Sequence, residues 1–194
     1  MTAARKIGYR TGMPEIPVAR LGDFLRADWR ANPGNWRSQV ILTLFRLAQA
    51  LRRQPRLLWL LALPIPIAYK VIVEWILTVD LPIRTDVGPG LTLDHAYAIV
   101  VHPDAVIGSA CVLIQGVTIG LRRDDEGVPV IGDGVRFGAN AVALGPITIG
   151  DGAQIGAGAV VLSDVPPGAT AVGVPARVLP PESTAAPPGD SAEP

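Results

Sequence analysis

From Ile107 onward the chain sets an apolar residue at every sixth position: Ile107, Leu113, Ile119, Ile131, Phe137, Ala143, Ile149, Ile155 and Val161. Position 125 breaks the series, inside the segment LRRDDEGVP. Glycine follows directly at 108, 120, 132, 138, 150 and 156. An amphipathic helix repeats its apolar stripe at about 3.6 residues and cannot produce this pattern. Short strands joined by tight turns can, with the aliphatic residue pointing inward and the Gly letting the chain turn the corner. An earlier set, Val87, Leu93, Ile99 and Ala105, keeps the period two residues out of phase, which predicts a register slip near VHPDAVIG. The pattern therefore predicts a mainly β fold, a parallel β-helix of hexapeptide repeats. Three six-residue sides make one coil of roughly 18 residues, and LRRDDEGVP forms a loop extruded from a corner.

Upstream the texture is different. Residues 21–78 are rich in Leu, Ala, Trp and Arg and read as a small α-helical region. Ser38 stands ahead of QVILTLFRLAQALRR, in which Ile41, Leu44, Phe45 and Ala48 follow the i, i+3, i+4, i+7 spacing of an amphipathic helix. The uncharged run LLWLLALPIPIA, residues 57–68, raises the question of a membrane span. Pro64 and Pro66 interrupt it, and Lys70 and Glu74 follow too soon for the ~20 residues a span requires. Burial against a partner subunit is expected instead, with shallow attachment to a membrane surface as the lesser option. The chain thus divides into a polar arm at 1–20, the helical region at 21–78, the β-helix at 79–179 and a tail at 180–194. The tail, PPESTAAPPGDSAEP, has the composition of a disordered segment.

Charge and cysteine content exclude several classes of function. Lys+Arg 17 against Asp+Glu 17 leaves a net charge of zero, so no overall field favours nucleic acid. Cys111 is the single cysteine and no Cys/His cluster accompanies it, so neither an intrachain disulfide nor a metal site is expected. The N-terminal MTAARKIGYRTGMPEIPVAR has no apolar segment behind its basic start, which points to the cytoplasm. What remains is a titratable cluster in an otherwise apolar run, Leu93-Asp94-His95-Ala96-Tyr97-Ala98-Ile99-Val100. A histidine in such a run is ordinarily a packing residue. A neutral imidazole, with an ordinary pKa near 6.5, is also a suitable acceptor for a hydroxyl proton.

IRTDVGPGLTLDHAYAIVV, LIQGVTIG and IGDGVRFGANAVALGPITIGDGAQIGAGAVVLSDVPPGATAVGVPARVL, spread over residues 79–179, resemble the serine acetyltransferase branch of the hexapeptide-repeat acyltransferases. The helical part, ADWRANPGNWRSQVILTLFRLAQALRR, is shorter than in typical serine acetyltransferases. It is more similar to the compact acetyltransferases of colanic-acid-type exopolysaccharide synthesis. The resemblance implies left-handed coiling, a homotrimer, active sites between neighbouring coils, and acetyl-CoA as co-substrate without a metal. It implies His95 as the catalytic base, Asp80 as the residue that orients it, and Asp94 on the acceptor side. Gly138-Ala139 and Gly156-Ala157 match the small-residue corners that hold the pantetheine arm, Gly120 matches the thioester end, and Arg177 is a candidate for the CoA phosphates. His102 has no catalytic counterpart and reads as structural. Cys111 reads as a small core residue rather than an acyl carrier.

One departure bears on the acceptor. Serine acetyltransferases carry Arg-His-Pro where this chain has Gly127-Val128-Pro129. A carboxylate leaving water without a cation costs several kcal/mol. The loss favours a small-molecule or saccharide acceptor, a sugar hydroxyl of exopolysaccharide assembly, over L-serine. Arg122 or Arg123 could replace the cation, so serine acetylation and cysteine synthesis stay open as an alternative. A non-catalytic docking module is the second alternative. In either case residues 41–78 are expected to meet a membrane surface or a partner enzyme.

Overall fold

The computed structural model describes residues 20–52, 55, 63–124 and 126–180. The hexapeptide period becomes a three-sided parallel β-solenoid because each inward aliphatic residue stacks on its equivalent one coil away. One face carries β1 (Val79–Asp80), β4 (Ile99–Val101), β7 (Thr118–Gly120), β10 (Val142–Leu144) and β13 (Val160–Val161). The second carries β2 (Asp86–Val87), β5 (Val106–Ile107), β8 (Val130–Ile131) and β11 (Thr148–Ile149). The third carries β3 (Thr92–Asp94), β6 (Val112–Ile114), β9 (Arg136–Phe137), β12 (Gln154–Ile155) and β14 (Thr170–Val172), and β15 (Arg177–Leu179) closes it by pairing antiparallel with β14. All nine residues of the six-residue series lie in the core, from Ile107 to Val161, none more than 3% exposed.

The register locates the irregular coils. Val101 pairs with Ile119 and Phe137 with Ile155, both 18 residues apart, whereas Leu113 pairs with Phe137, 24 apart, because the coil between them carries the loop that includes Arg122. Leu93 pairs with Leu113, 20 apart, but Val100 pairs with Thr118, 18 apart. The two surplus residues therefore lie between 93 and 100, in the corner Asp94-His95-Ala96-Tyr97-Ala98, and not in VHPDAVIG as the pattern predicted. Periodicity alone misplaced the slip because Ile99 and Val101 are both buried, at 1% each, and either one continues a six-residue series.

The glycines after the inward residues also play a different part from the one expected. Two other columns of residues turn the corners, in the left-handed backbone region: Thr78, Ala98, Gly116, Asn140 and Gly158 in one, Gly90, Ala110, Gly134, Gly152 and Gly168 in the other. The glycine that follows an inward residue is required for stacking. A Cβ on Gly138 would stand 2.5 Å from the backbone nitrogen of Ala157 in the next coil. Gly120 is the exception, with only Leu144 Cδ2 at 3.9 Å.

The helical region comprises α1 (Leu21–Ala31), α2 (Trp36–Leu51), α3 (Pro64–Tyr69) and a π-helical segment (Lys70–Ile76). Asn35 caps α2 by accepting from the Ser38 amide, so the helix starts two residues before the predicted Ser38 cap. Ser38 is free for another role. Ile41, Phe45 and Ala48 of the predicted stripe are buried, together with Leu42, while Leu44 packs at the margin. Pro64 occupies the first turn of α3, where its missing N–H costs nothing. Among the described residues no helix is long and apolar enough to cross a membrane. Because α2 is spent on the chain's own core, the exposed large apolar side chains of 41–78 are, among the described residues, Ile67, Val71, Trp75 and Ile76. The arm at 1–19, residues 56–62 and the tail from 181 lie outside the described residues.

Candidate active site

The helical region is fastened to the first coil by buried polar side chains. Arg46 and Asp28 form an ion pair of 2.8 Å with both side chains at 0% exposure. Two buried charges are tolerable only when their remaining hydrogen-bonding capacity is met, and here it is. The Arg46 guanidinium donates to the carbonyls of Val87 at 2.8 Å and Gly88 at 2.7 Å. The Asp28 carboxylate accepts from the amides of Gly90 at 2.8 Å and Leu91 at 3.2 Å. Gln49 donates to the Thr85 carbonyl at 2.9 Å, and the Tyr69 hydroxyl donates to that of Leu81. Burial is the leading cause that pushes the Tyr69 phenol far above its ordinary range.

His95 stands on the enlarged corner of this coil, exposed, with a φ of 50°. That value is uncommon for a residue with a Cβ and holds the ring on the outside of the turn. Asp94 ends β3 just before it, partly buried, opposite Ile114. The corner leads into β4, and β1 pairs with β4 so that Asp80 lies beside Val100, with its side chain exposed on the outer surface. The threonine just before β1 reaches the same corner: Thr78 Oγ1 accepts from the Ala98 amide at 3.3 Å. Asp94 and His95 are thus consecutive at this corner, and Asp80 lies on β1 beside the strand into which the corner leads. Among the described residues no hydrogen bond joins the ring to either carboxylate.

The other candidates lie elsewhere along the solenoid. Gly120 ends β7, Gly138-Ala139 follows β9, and Gly156-Ala157 follows β12 one coil further on, so the last two pairs stack in register. The contact between Gly138 and Ala157 accounts for that glycine without a ligand. Arg177 is exposed on β15, opposite Val172. His102 is tied into its own turn, its Nδ1 accepting from the Asp104 amide at 3.2 Å, as expected for a structural residue. Cys111 is fully buried, with Sγ 3.2 Å from the Gly132 carbonyl, and burial pushes its thiol up to about 11. A neutral, enclosed thiol is a poor nucleophile, which agrees with its reading as a core residue. Among the described residues no group of three or more His, Cys, Asp or Glu could hold a metal ion.

In the loop, Arg122 is engaged. Its Nε and Nη2 each lie 3.0 Å from a Glu126 carboxylate oxygen, and Arg123 approaches the same carboxylate at 3.9 Å. The hydrogen-bonded partner raises the Arg122 pKa and lowers that of Glu126. Sequence reasoning passed over Tyr97, half exposed two residues beyond His95, and Thr78 at the same corner. The misplaced slip hid both. Sequence reasoning also passed over Asn32 and Asn35 and read Ser38 only as a helix cap; the contacts of all three with the first coil span 55 residues or more of chain.

Comparison with known proteins agrees with this fold. The profile of the bacterial transferase hexapeptide (six repeats) matches residues 129–163. A protein of Escherichia coli (strain K12) that carries the name colanic acid biosynthesis acetyltransferase WcaB is 37% identical over 155 residues, 78% of this chain and 96% of that protein. Serine acetyltransferase 3, mitochondrial, of Arabidopsis thaliana is 50% identical over 103 residues, 52% of this chain but only 26% of that protein. The soybean serine acetyltransferase apoenzyme superposes with a TM-score of 0.66 at 38% identity, covering 83% of this chain and 69% of that one.

Proposed function

The chain belongs to the hexapeptide-repeat acetyltransferases, and from that premise we propose that it is an acetyl-CoA-dependent O-acetyltransferase whose base is His95 and whose acceptor is a sugar hydroxyl. The observation that carries the base assignment is the enlarged corner, which lifts an exposed imidazole out of the repeat directly after Asp94 and leads into the strand beside Asp80.

In the proposed reaction His95 takes the hydroxyl proton as the acceptor oxygen attacks the thioester carbonyl. The new C–O bond gives a tetrahedral intermediate. Its collapse breaks the C–S bond, and the imidazolium returns the proton to the CoA thiolate. Asp80 orients the ring and stabilises its charged form, and Asp94 faces the acceptor. The paired small residues Gly138-Ala139 and Gly156-Ala157 line the pantetheine arm, Gly120 borders the thioester, and Arg177 meets the phosphates. A homotrimer completes the site, with a neighbouring subunit covering the outer face that bears His95. Membrane or partner contact is assigned to the stripe Ile67, Val71 and Trp75, and the cytoplasm is the working compartment.

Two observations favour a sugar over L-serine. Gly127 and Val128 bring no cation to the loop, and Arg122 is already committed to Glu126. The coverage of the WcaB relative, nearly end to end, supports the same choice. Serine acetylation is the second reading, supported by the match to soybean serine acetyltransferase.

Thiol release from acetyl-CoA, measured with L-serine, with UDP-glucose and UDP-galactose, and with a neutral oligosaccharide, separates the two. A saccharide should be the best acceptor and L-serine a poor one. His95→Ala should lower transfer at least about 100-fold with KM for acetyl-CoA nearly unchanged. Arg122→Ala should alter the sugar rate only a few fold. Efficient serine transfer abolished by Arg122→Ala or by Arg123→Ala would overturn the choice of acceptor.

A further inference from the structure

β3 is the terminal strand of its sheet, so one of its edges faces no other strand. Successive residues of a strand turn their N–H and C=O groups to opposite edges. Thr92 donates to the Cys111 carbonyl on the β6 side, which leaves Leu91 and Leu93 facing the open edge. Side chains of the helical region take every one of those groups. The Leu91 amide goes to Asp28 at 3.2 Å and its carbonyl to Asn32 Nδ2 at 2.8 Å. The Leu93 amide goes to Asn32 Oδ1 at 3.1 Å. The Leu93 carbonyl accepts twice, from Ser38 Oγ at 2.6 Å and from Asn35 Nδ2 at 3.2 Å.

An open edge needs such partners for stability alone, but the anchored point at Leu93 has a second consequence. It lies two residues before His95, where the coil departs from its repeat. Asp94 still stacks on Ile114 and Ala98 on Gly116, but the two surplus residues between them have no counterpart in the neighbouring coils, so stacking does not dictate their path. Their geometry rests on how the two ends are held: at one end Thr78 on the Ala98 amide and the Gly116 amide of the next coil on the Tyr97 carbonyl at 3.1 Å, at the other Ser38 with Asn35 on the Leu93 carbonyl. Ser38 is itself immobilised, fully buried in the first turn of α2 with its amide held by Asn35.

We propose that Ser38 is a positioning residue for His95, and that the helical region thereby sets the geometry of the base through the Leu93 peptide. The proposal rests on the assignment of His95 as base, and its test separates the two. The chain has only two histidines, so in the full-length protein the imidazole carbon-bound proton resonances of His95 and His102 are assigned with a His102→Ala variant. Ser38→Ala should shift the His95 resonances and leave those of His102 in place, and Ser38→Thr, which keeps the hydroxyl, should restore them. Gln49→Ala removes a comparable hydrogen bond from the helical region to Thr85, and should lower thermal stability as much as Ser38→Ala without moving His95.

With acetyl-CoA and the fastest acceptor of the panel above, Ser38→Ala should lower kcat about tenfold, keep KM for acetyl-CoA within about twofold, and cost nothing further in a His95→Ala background. If Ser38→Ala does not fold, Ser38→Cys, of similar size but a weaker donor, carries the same comparison. Unmoved His95 resonances in the folded variant would overturn the proposal, as would an equal shift in Gln49→Ala. A shifted resonance in Ser38→Ala together with a fully active His95→Ala would uphold the positioning and overturn the base assignment instead.

Discussion

The two ends of the solenoid are closed by opposite means. At the first coil, Asp28, Asn32, Ser38 and Arg46 reach in from the helical region and satisfy the open strand edges with buried side chains. At the last, β15 folds back on β14 and satisfies the edge with backbone, through residues that are themselves exposed. Backbone pairing tolerates almost any side chain. A buried polar network does not, because each member left without its partner keeps the full cost of having lost water. The first coil therefore has the more sharply specified geometry, and it is the coil that carries Asp80, Asp94 and His95.

The largest effect should come from breaking the specified end. Asp28→Ala leaves the Arg46 guanidinium buried with its charge uncompensated and frees the amides of Gly90 and Leu91. It should cost about 3–5 kcal/mol of stability, read as a large fall in Tm or in the denaturant midpoint. Replacing the pair together, Asp28→Leu with Arg46→Met, should recover part of the loss. A near-neutral Asp28→Ala would show that the first coil closes without the ion pair.

The middle of the solenoid offers a smaller and pH-dependent effect. The Cys111 thiol has its folded pKa raised to about 11 from an ordinary value of 9.0, with burial as the leading cause. A raised acid pKa means that the folded state holds its proton more tightly than the unfolded state. The contribution is complete below about pH 9 and is lost as pH rises through about 11. It is worth on the order of 2 kcal/mol. Denaturant melts of wild type and Cys111→Ala across pH 8 to 11 should converge as pH rises. Parallel curves would mean that the thiol reaches water.

The smallest effect on stability belongs to the other end. Arg177→Ala should alter stability by less than about 0.5 kcal/mol, because β15 is held by its backbone, while KM for acetyl-CoA rises a few fold if the side chain meets the phosphates. A large fall in Tm would show that the two ends resemble each other more than their hydrogen bonds suggest.

Much of this architecture was legible in the residues. A six-residue period can be satisfied only by a short strand and a turn repeated in step, so Ile107 to Val161 predicted the core and the loop after Ile119 without reference to any long-range contact. The candidate base was visible as His95, and the absence of a cationic pair at Gly127-Val128 was visible as well. Three matters were left to the tertiary structure. The position of the register slip depended on which of two buried residues, Ile99 or Val101, pairs with which strand, and pairing is a relation between coils. The need for Gly138 came from the backbone of Ala157, 19 positions away, and not from a turn at its own position. The role of Ser38 arose from a carbonyl 55 residues further along the chain. Local periodicity reports which side of the chain is buried. The partner of a polar group is chosen by the packing of distant segments, and only the folded chain brings them within reach.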